Sequence, residues 1–535
     1  MSAASWQRDA ETKTAGGEIR FSRFAYRNPG ALALVDPAGR ELTRGEISEP
    51  ANAMARRLRE AGLVRGDVLA ILAPNCAEYL IAYLAATQVG LYVVPLNWHL
   101  AAPELQYILD DCGARALVAH RRFRTVCGTV LGLMKERPRV LVSLGGQIDG
   151  FTSLDDFVAN AETGPLEDAE VGRVLGYTSA TTGKPKGVVL SLDNAARSLN
   201  QAIERRIEYG MALEEHVLLC ASMLYHGAPL EMSTVALHMG HAVVLVDNLA
   251  PATLLQFIER YRVTIAYMVP GMFSRLLNLD EATRRRYSTA SLVKVTHGAA
   301  PCPVQVKYRM MEWLGPIISE SYGSTEGGGT VASAADWLKY PGTVGRPIPG
   351  TRLKILNDDG EEVPTGSVGT IYMTRYDGER FEYLGAPEKT RAAWRGDFFT
   401  VGDVGYVNEE GFLFICDRKI DMINVSGMKV YPAEIEDALA AHPGVVDSAV
   451  FGIPDAGTGE AVMAVVQPAT NAPPADALKA DLVRFLSERV SMTKIPRRIE
   501  VVPELPRDGT GKLQKRRLRE RYVPAPAAAG VAPTA

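Results

Sequence analysis

Cysteine is sparse in this chain. Six are scattered over 535 residues, at Cys76, Cys112, Cys127, Cys220, Cys302 and Cys416, and no two form a CxxC pair. That pattern excludes a disulfide framework and offers no zinc-ligand spacing. A reducing, cytoplasmic setting is the simplest expectation. An excess of one charge is missing too: 58 Lys and Arg stand against 62 Asp and Glu, a net charge of -4. That excludes a polybasic nucleic-acid binder. No apolar run reaches the roughly 18 residues of a membrane span, so none is expected. The opening MSAASWQRDAETKTAGGE has no apolar core and is not expected to act as a signal peptide. No internal repeat is visible, and no C-terminal SKL supports peroxisomal targeting.

What is present is ordinary globular material. Hydrophobic residues make up 47% and charged residues 22%, which excludes a largely disordered or collagen-like chain. The length fits one large α/β unit plus a small domain as well as it fits about three or four domains. Such a chain buries a sizeable core without staples.

From Asp67 onward short apolar runs alternate with helical stretches. DVLAIL, YVVPL and ARALVAH read as strands, and AEYLIAYLAATQVG and APELQYILDDCG between them as helices. The rhythm returns with HAVVLVD, PATLLQFIERYR, VTIAYMV and PVQVKYRMMEWLG. Such alternation predicts βαβ units and a mostly parallel sheet. A Gly-rich, β-rich stretch follows from Thr351 to Ile415. After Cys416 the texture changes to YPAEIEDALAAHPG (helix), VVDSAVFGI and AVMAVVQ (strands), ADALKADLVRFLSERV (helix) and RRIEVVP (strand). PATNAPPAD between them is a surface loop by composition. A domain boundary is expected near Asp417. Residues 1–16 and the Ala/Pro-rich tail from Val523 to Ala535 are expected to be frayed or disordered.

Several strings carry chemistry. YTSATTGKPKGV, Tyr177 to Val188, follows the strand-like VGRVLGY and is dense in hydroxyls, glycines and lysines. Such a loop can offer backbone N–H groups, hydroxyls and ammonium charge to a polyphosphate. It is not a Walker A loop, because Pro185 follows Lys184 and the glycine spacing is wrong. SESYGSTEGG, Ser319 to Gly328, puts an aromatic ring, hydroxyls and one carboxylate on a glycine-rich turn, where Glu326 can hold Mg²⁺. Further on, Asp403 follows a glycine where a carboxylate can accept from two ribose hydroxyls, and Asp417-Arg418-Lys419 forms a charged cluster at the boundary. LPRDGTGKLQKRRLR, Leu505 to Arg519, sets Lys512 on a Gly-flanked loop before a basic helix.

In this order and spacing, the strings resemble the adenylate-forming superfamily of acyl-CoA synthetases, peptide-synthetase adenylation domains and luciferases, in its acyl-CoA ligase branch. The likeness runs from about Phe24 to Arg519. HGAAP (His297 to Pro301) and GTVGRPIPG (Gly342 to Gly350) also look like family signatures. The resemblance implies an α/β fold: a large N-terminal AMP-binding domain (1–416) of parallel-rich sheets with flanking helices and a β-rich subdomain. A small mobile α+β C-terminal domain (417–522) rotates about Asp417, and 523–535 is a disordered tail.

By the same resemblance, Thr178, Ser179, Ala180, Thr181, Thr182, Gly183, Lys184 and Lys186 wrap the ATP phosphates. Gly298, Ala299, Ala300 and Pro301, with Ser321, Tyr322 and Gly323, line the adenine site. Thr325 and Glu326 serve phosphate and Mg²⁺, with Glu326 as metal ligand. Asp403 and Arg418 hold the ribose, and Lys512 bridges the substrate carboxylate and the α-phosphate. Gly427 and Lys429, in the loop Ser426-Gly427-Met428-Lys429, enter the site for thioester formation. The implied small molecules are ATP/AMP, Mg²⁺ and coenzyme A, with a hydrophobic carboxylic acid or its acyl-adenylate as substrate. A homodimer is left open.

The sequence departs from the family pattern at Ala180, where SATTG replaces SGTTG, at TVGD in place of TGD, and at Cys416 in place of a common glycine. Among the departures, only Ala180 falls within the phosphate loop. It keeps two alternatives to a complete ligase in view: an enzyme that makes the thioester from a preformed acyl-adenylate, and a degenerate acyl-nucleotide binding protein. Glu326, Asp403, Arg418 and Lys512 argue against the second. The acid is expected near Tyr225-His226, AYMVPGMF, Gly298-Ala299 and Gly327 to Thr330. His226 reads either as a gate or as a satisfied core histidine. These segments carry no Asp, Glu, Lys or Arg, which predicts an apolar monocarboxylate. The Gly327-Gly328-Gly329 run predicts room for a large or long acid. A chain ending without a carrier domain is not expected to be a peptide-synthetase module.

Overall fold

The computed structural model describes residues 20–178, 184–247, 250–426, 428–455, 457–507 and 513–523. The frayed start and almost all of the tail expected from composition lie outside them.

Strand Val68–Leu72 is buried at every position, as an unbroken VLAIL run requires when both sheet faces are covered. It is central in a six-stranded, all-parallel sheet whose order is Thr152–Ser153, Val140–Leu144, Ala116–His120, Val68–Leu72, Tyr92–Pro95 and Arg173–Val174. A second sheet has nine strands. Its parallel middle runs Ile318–Ser324, Lys294–His297, Ile265–Met268, Val217–Cys220, Ala242–Leu245 and Leu32–Val35, and antiparallel strands close both edges.

Helices Arg44–Glu60, Ala77–Thr87 and Gly227–His238 are shared between the two sheets. Met54, Leu58, Leu80 and Leu237 pack in one core with Ile71 and Val118 of the first sheet and Leu218 and Val243 of the second. The first helix starts sharply because Thr43 and Glu46 form a reciprocal capping box. The apolar run VTIAYMV ends as a strand at Met268, and Pro270 then opens helix Pro270–Leu277 at its first turn.

The Gly-rich stretch folds as an antiparallel sheet that includes Leu353–Leu356, Gly369–Met373, Asp403–Val407 and Leu413–Arg418. Strand Leu413–Arg418 is its last contribution. The next strand, Ile423–Val425, already belongs to a five-stranded C-terminal sheet with Met428–Val430, Val445–Asp455, Gly459–Pro468 and Arg498–Val501. Helices Pro432–Ala440 and Ala475–Ser487 cover that sheet through Ile435, Leu439, Leu478 and Leu482. The chain is thus a mixed α/β protein with a large N-terminal domain of parallel sheets and a smaller C-terminal domain. Among the described residues no helix is long and apolar enough to cross a membrane.

Candidate active-site cleft

The parallel strands Ile265–Met268, Lys294–His297 and Ile318–Ser324 all open at their carboxyl ends onto a cleft of about 2690 Å³. Residues of the C-terminal domain close its other side, including Asp437, Asp447, Arg507 and Lys515. Of the residues expected from the sequence, Thr178, Lys186, His226, Ala299, Ala300, Pro301, Ser321, Tyr322, Gly323, Thr325, Glu326, Asp403 and Arg418 line it. Ser179 to Gly183, Gly427 and Lys512 lie outside the described residues.

The remaining expected residues stand apart from the lining. The Lys184 ammonium sits 4.6 Å from the centre of the Tyr107 ring. Gly298 lies against the next strand, where an added Cβ would come 2.5 Å from the Ser321 carbonyl, so only glycine fits. Lys429 directs its Nζ to within 3.9 Å of Asp358.

Strands Gly176–Thr178 and Lys186–Val189 form a hairpin in which Thr178 pairs with Lys186. The stem is anchored from the helix Ala102–Asp111: Tyr177 donates to Asp111 at 2.6 Å, and Tyr107 donates to the Pro185 carbonyl at 3.3 Å. Thr325 packs directly on this stem, since a Cβ at Gly176 would lie 2.7 Å from its methyl group. Lys186 reaches in toward Glu326 over the Tyr383 ring, 4.6 Å from its centre. Burial lowers its pKa, and Lys389 adds to that while Glu326 opposes it.

Glu326 is buried on the turn after Ile318–Ser324. Its Oε1 accepts from Tyr383 at 2.8 Å, and its carbonyl accepts from Arg375 at 2.7 Å. Among the described residues no donor reaches Oε2, which leaves one carboxylate oxygen for a cation. Asp403 and Arg418 are direct partners across an antiparallel pair. The Asp403 carboxylate accepts from Tyr322 Oη at 2.7 Å and lies 3.4 Å from Arg418 Nε. Two sheets thus meet at one hydroxyl–carboxylate contact, which fixes both side chains.

A buried charged group lies beneath this surface. Lys307 contacts Glu320 at 2.7 Å, next to His297, which burial and Lys307 keep neutral. Across the cleft stands Asp437 of helix Pro432–Ala440. Enclosure by protein, then Glu436 and Glu320, push its pKa up to about 7 from an ordinary 3.8. Lys515 is already engaged with Glu436 at 2.8 Å. Glu436 stays beside Asp437 on its own helix when the domains part, so it is the share of the rise due to enclosure and Glu320 that makes the docked arrangement hold a proton which separation releases. Acid therefore favours docking fully below about pH 4, and that support is lost as pH rises through about 7. We expect Asp437→Asn to remove this pH dependence. Energy transfer between dyes on the two domains, followed from pH 5 to 8, measures it.

The acid end differs from its sequence-level picture. His226 occupies the N-cap position of helix Gly227–His238, its ring 4.4 Å from that of Tyr225. The glycine run does not simply vacate space. Arg375 lies where a Gly327 side chain would go, and Met373 comes within 3.1 Å of a Cβ at Gly328. Charges also line the cleft from outside the segments first considered: Arg205, Arg206, Glu231 and Arg375. One signal was legible, since Glu231 stands four residues after Gly227, on the same helix face. The arginines carry no such local mark.

Comparison with known proteins agrees with this geometry. The family model described as AMP-binding enzyme matches residues 21–377, and that of the AMP-binding enzyme C-terminal domain matches 434–512. A feruloyl-CoA synthase of an Amycolatopsis species is 33% identical over 94% of this chain and 98% of its own length. The fatty acid–[acyl-carrier-protein] ligase ScoC of Streptomyces coeruleorubidus is 32% identical over 94% and 96%. Among solved structures, the anthranilate CoA ligase AuaEII in complex with anthranoyl-AMP superposes with a TM-score of 0.83 at 26% identity, covering 95% of this chain and 98% of its own. The chain belongs to the AMP-binding enzyme family and so to the adenylate-forming superfamily. It is an AMP-forming enzyme of the acid–thiol ligase kind.

Proposed function

We propose that this protein activates a carboxylic acid with a hydrophobic body as its acyl-adenylate and transfers the acyl group to coenzyme A. A carboxylate is a poor electrophile, because its oxide is too basic to leave. Attack of a carboxylate oxygen on the α-phosphorus of ATP expels pyrophosphate and turns that oxide into AMP, a good leaving group. A thiolate then attacks the carbonyl carbon, and AMP departs. The first step brings two anions together, so positive charge must be placed where negative charge builds up. Lys512 and Lys186 supply it from the protein. Mg²⁺ would be held at Glu326, whose free oxygen suits a hard cation that keeps several waters, and would supply further charge neutralisation.

The observation that carries this reading is the convergence of Tyr322, Glu326, Asp403, Arg418 and the hairpin stem of residues 176–178 and 186–189 on one cleft. Arg507 and Leu513, which flank Lys512, line the same cleft. Asp417 serves as the hinge in this proposal and marks the boundary between the domains. Its Oδ1 accepts from its neighbour Arg418 N at 2.7 Å and its Oδ2 from Ala433 N at 3.1 Å, tying the last large-domain strand to the first small-domain helix. All six cysteines are free, in keeping with a cytoplasmic setting.

The test is release of pyrophosphate and formation of thioester across a panel of acids, with and without coenzyme A. Acid-dependent pyrophosphate release supports the reading, and none with any acid overturns it. In the same assay, Asp403→Ala is expected to raise the KM for ATP about 10- to 100-fold, the loss of a hydrogen bond to a charged group. An unchanged KM would remove Asp403 from nucleotide binding.

A further inference from the structure

We propose that Glu231, with Arg205 beside it, selects an acid that carries a neutral hydroxyl at the end remote from its carboxylate. The inference rests on the ligase reading above and names the substrate class for the same cleft. Glu231 stands on helix Gly227–His238, four residues past Gly227 and so roughly 6 Å along the axis from the His226 end. Protein surrounds it, yet 54% of its side-chain surface is uncovered, because it faces the cleft interior.

The hydrogen bonds around Glu231 are incomplete. Its Oε1 accepts from Arg206 Nη2 at 3.1 Å, and Arg206 is itself held by a bond to the Ala202 carbonyl at 3.0 Å. Among the described residues no donor reaches Oε2. Burial alone would raise the Glu231 pKa, but Arg206, Arg205 and Arg375 outweigh it and keep the carboxylate ionised. Arg205 rests its guanidinium 4.0 Å from the centre of the Tyr376 ring and hydrogen-bonds that side chain, while among the described residues no carboxylate is within ion-pairing distance of it. Arg375 is already taken by Asp377 at 2.6 Å. The cleft therefore presents one unfilled acceptor and, near it, a guanidinium with no carboxylate partner among the described residues.

Each alternative terminus leaves a conflict. An apolar end would dry Glu231 Oε2 and the remaining N–H groups of Arg205 without giving either a further partner, which is costly for charged groups. A second carboxylate would suit Arg205 but be repelled by Glu231. An ammonium would suit Glu231 but face three guanidiniums. A hydroxyl donates to Glu231 and accepts from Arg205, so it satisfies both. Leu199, Ala202, Met232 and Val235 line the cleft nearby and suit the hydrocarbon between the two ends.

The test uses the full-length protein with ATP, Mg²⁺ and coenzyme A. Matched straight-chain and aryl acids of graded length are compared, each ending in hydrogen, hydroxyl, ammonium or carboxylate. The hydroxyl acid is expected to lead its hydrogen counterpart by about 100-fold in kcat/KM, as a site built to hydrogen-bond a substrate hydroxyl discriminates. Glu231→Leu should reverse that order. Glu231→Gln, which keeps an acceptor and the side-chain shape, should preserve it at a lower ratio and serves as the decisive variant if leucine disrupts folding. Turnover with no hydroxyl preference, or an order unchanged by Glu231→Leu in a folded protein, overturns the inference while leaving the ligase reading intact. No pyrophosphate from any acid overturns both.

Discussion

Replacing Lys512 with alanine is expected to cut acid-dependent pyrophosphate release about 100- to 1,000-fold and to leave thioester formation from supplied acyl-adenylate nearly unchanged. The argument is electrostatic. Only the first half-reaction drives a carboxylate into a polyphosphate, so only there does an added cation lower the barrier. In the second, a thiolate meets a carbonyl whose phosphate charge is already reduced. The arrangement of the small domain fits this division. Arg507 and Leu513, on either side of the Lys512 loop, face the cleft, and Arg507 is braced by two nitrogens against Asp447. Measuring the half-reactions separately decides the matter. Equal losses in both would show that Lys512 supports the fold or the docking of the small domain rather than the charge of one step.

Much of the fold was legible because its period is local. DVLAIL, YVVPL and ARALVAH appear as strands Val68–Leu72, Tyr92–Pro95 and Ala116–His120, and the helices between them begin within a residue of where the pattern starts. VGRVLGY shows the limit of that reading. It is one apolar run in sequence but two strands in space: Arg173–Val174 joins the six-stranded parallel sheet, and Gly176–Thr178 pairs with Lys186–Val189 in a hairpin. Nothing in the string marks the break at Leu175, because it arises from which sheet each half can reach.

The site divides in the same way. Residues carried by short strings, such as Thr325, Glu326 and Asp403, were found by their neighbours in sequence. Those placed by tertiary contact were not. Arg375 is 48 positions after Gly327, yet its guanidinium occupies the space that the glycine leaves. A run of glycines reads as vacant volume only until another element fills it. Glu231 and Arg205 lie on separate helices, Gly227–His238 and Ala195–Glu208, and their relation becomes visible only when the two pack side by side.

Gly427→Trp is expected to give the mirror image of the lysine variant, with thioester formation reduced about 100-fold or more and adenylation retained, since a misplaced contact near the reacting atoms costs on this scale. The described neighbours of Gly427 do not line the cleft. Ser426 takes a left-handed backbone with φ of 52°, and Met428 and Lys429 are exposed, with Lys429 near Asp358 on the large domain. For this loop to serve thiol transfer, the small domain must rotate about Asp417, withdraw the Lys512 flank and bring residues 426–429 to the opening. Indole at position 427 would then fill the path that the thiol needs. A small domain that turned between two arrangements, each complete for one half-reaction, would let a loop and a lysine 85 residues apart serve the same cleft. Thioester formation from supplied acyl-adenylate at the wild-type rate in Gly427→Trp would remove the loop from the active site and, with it, the reason for the rotation.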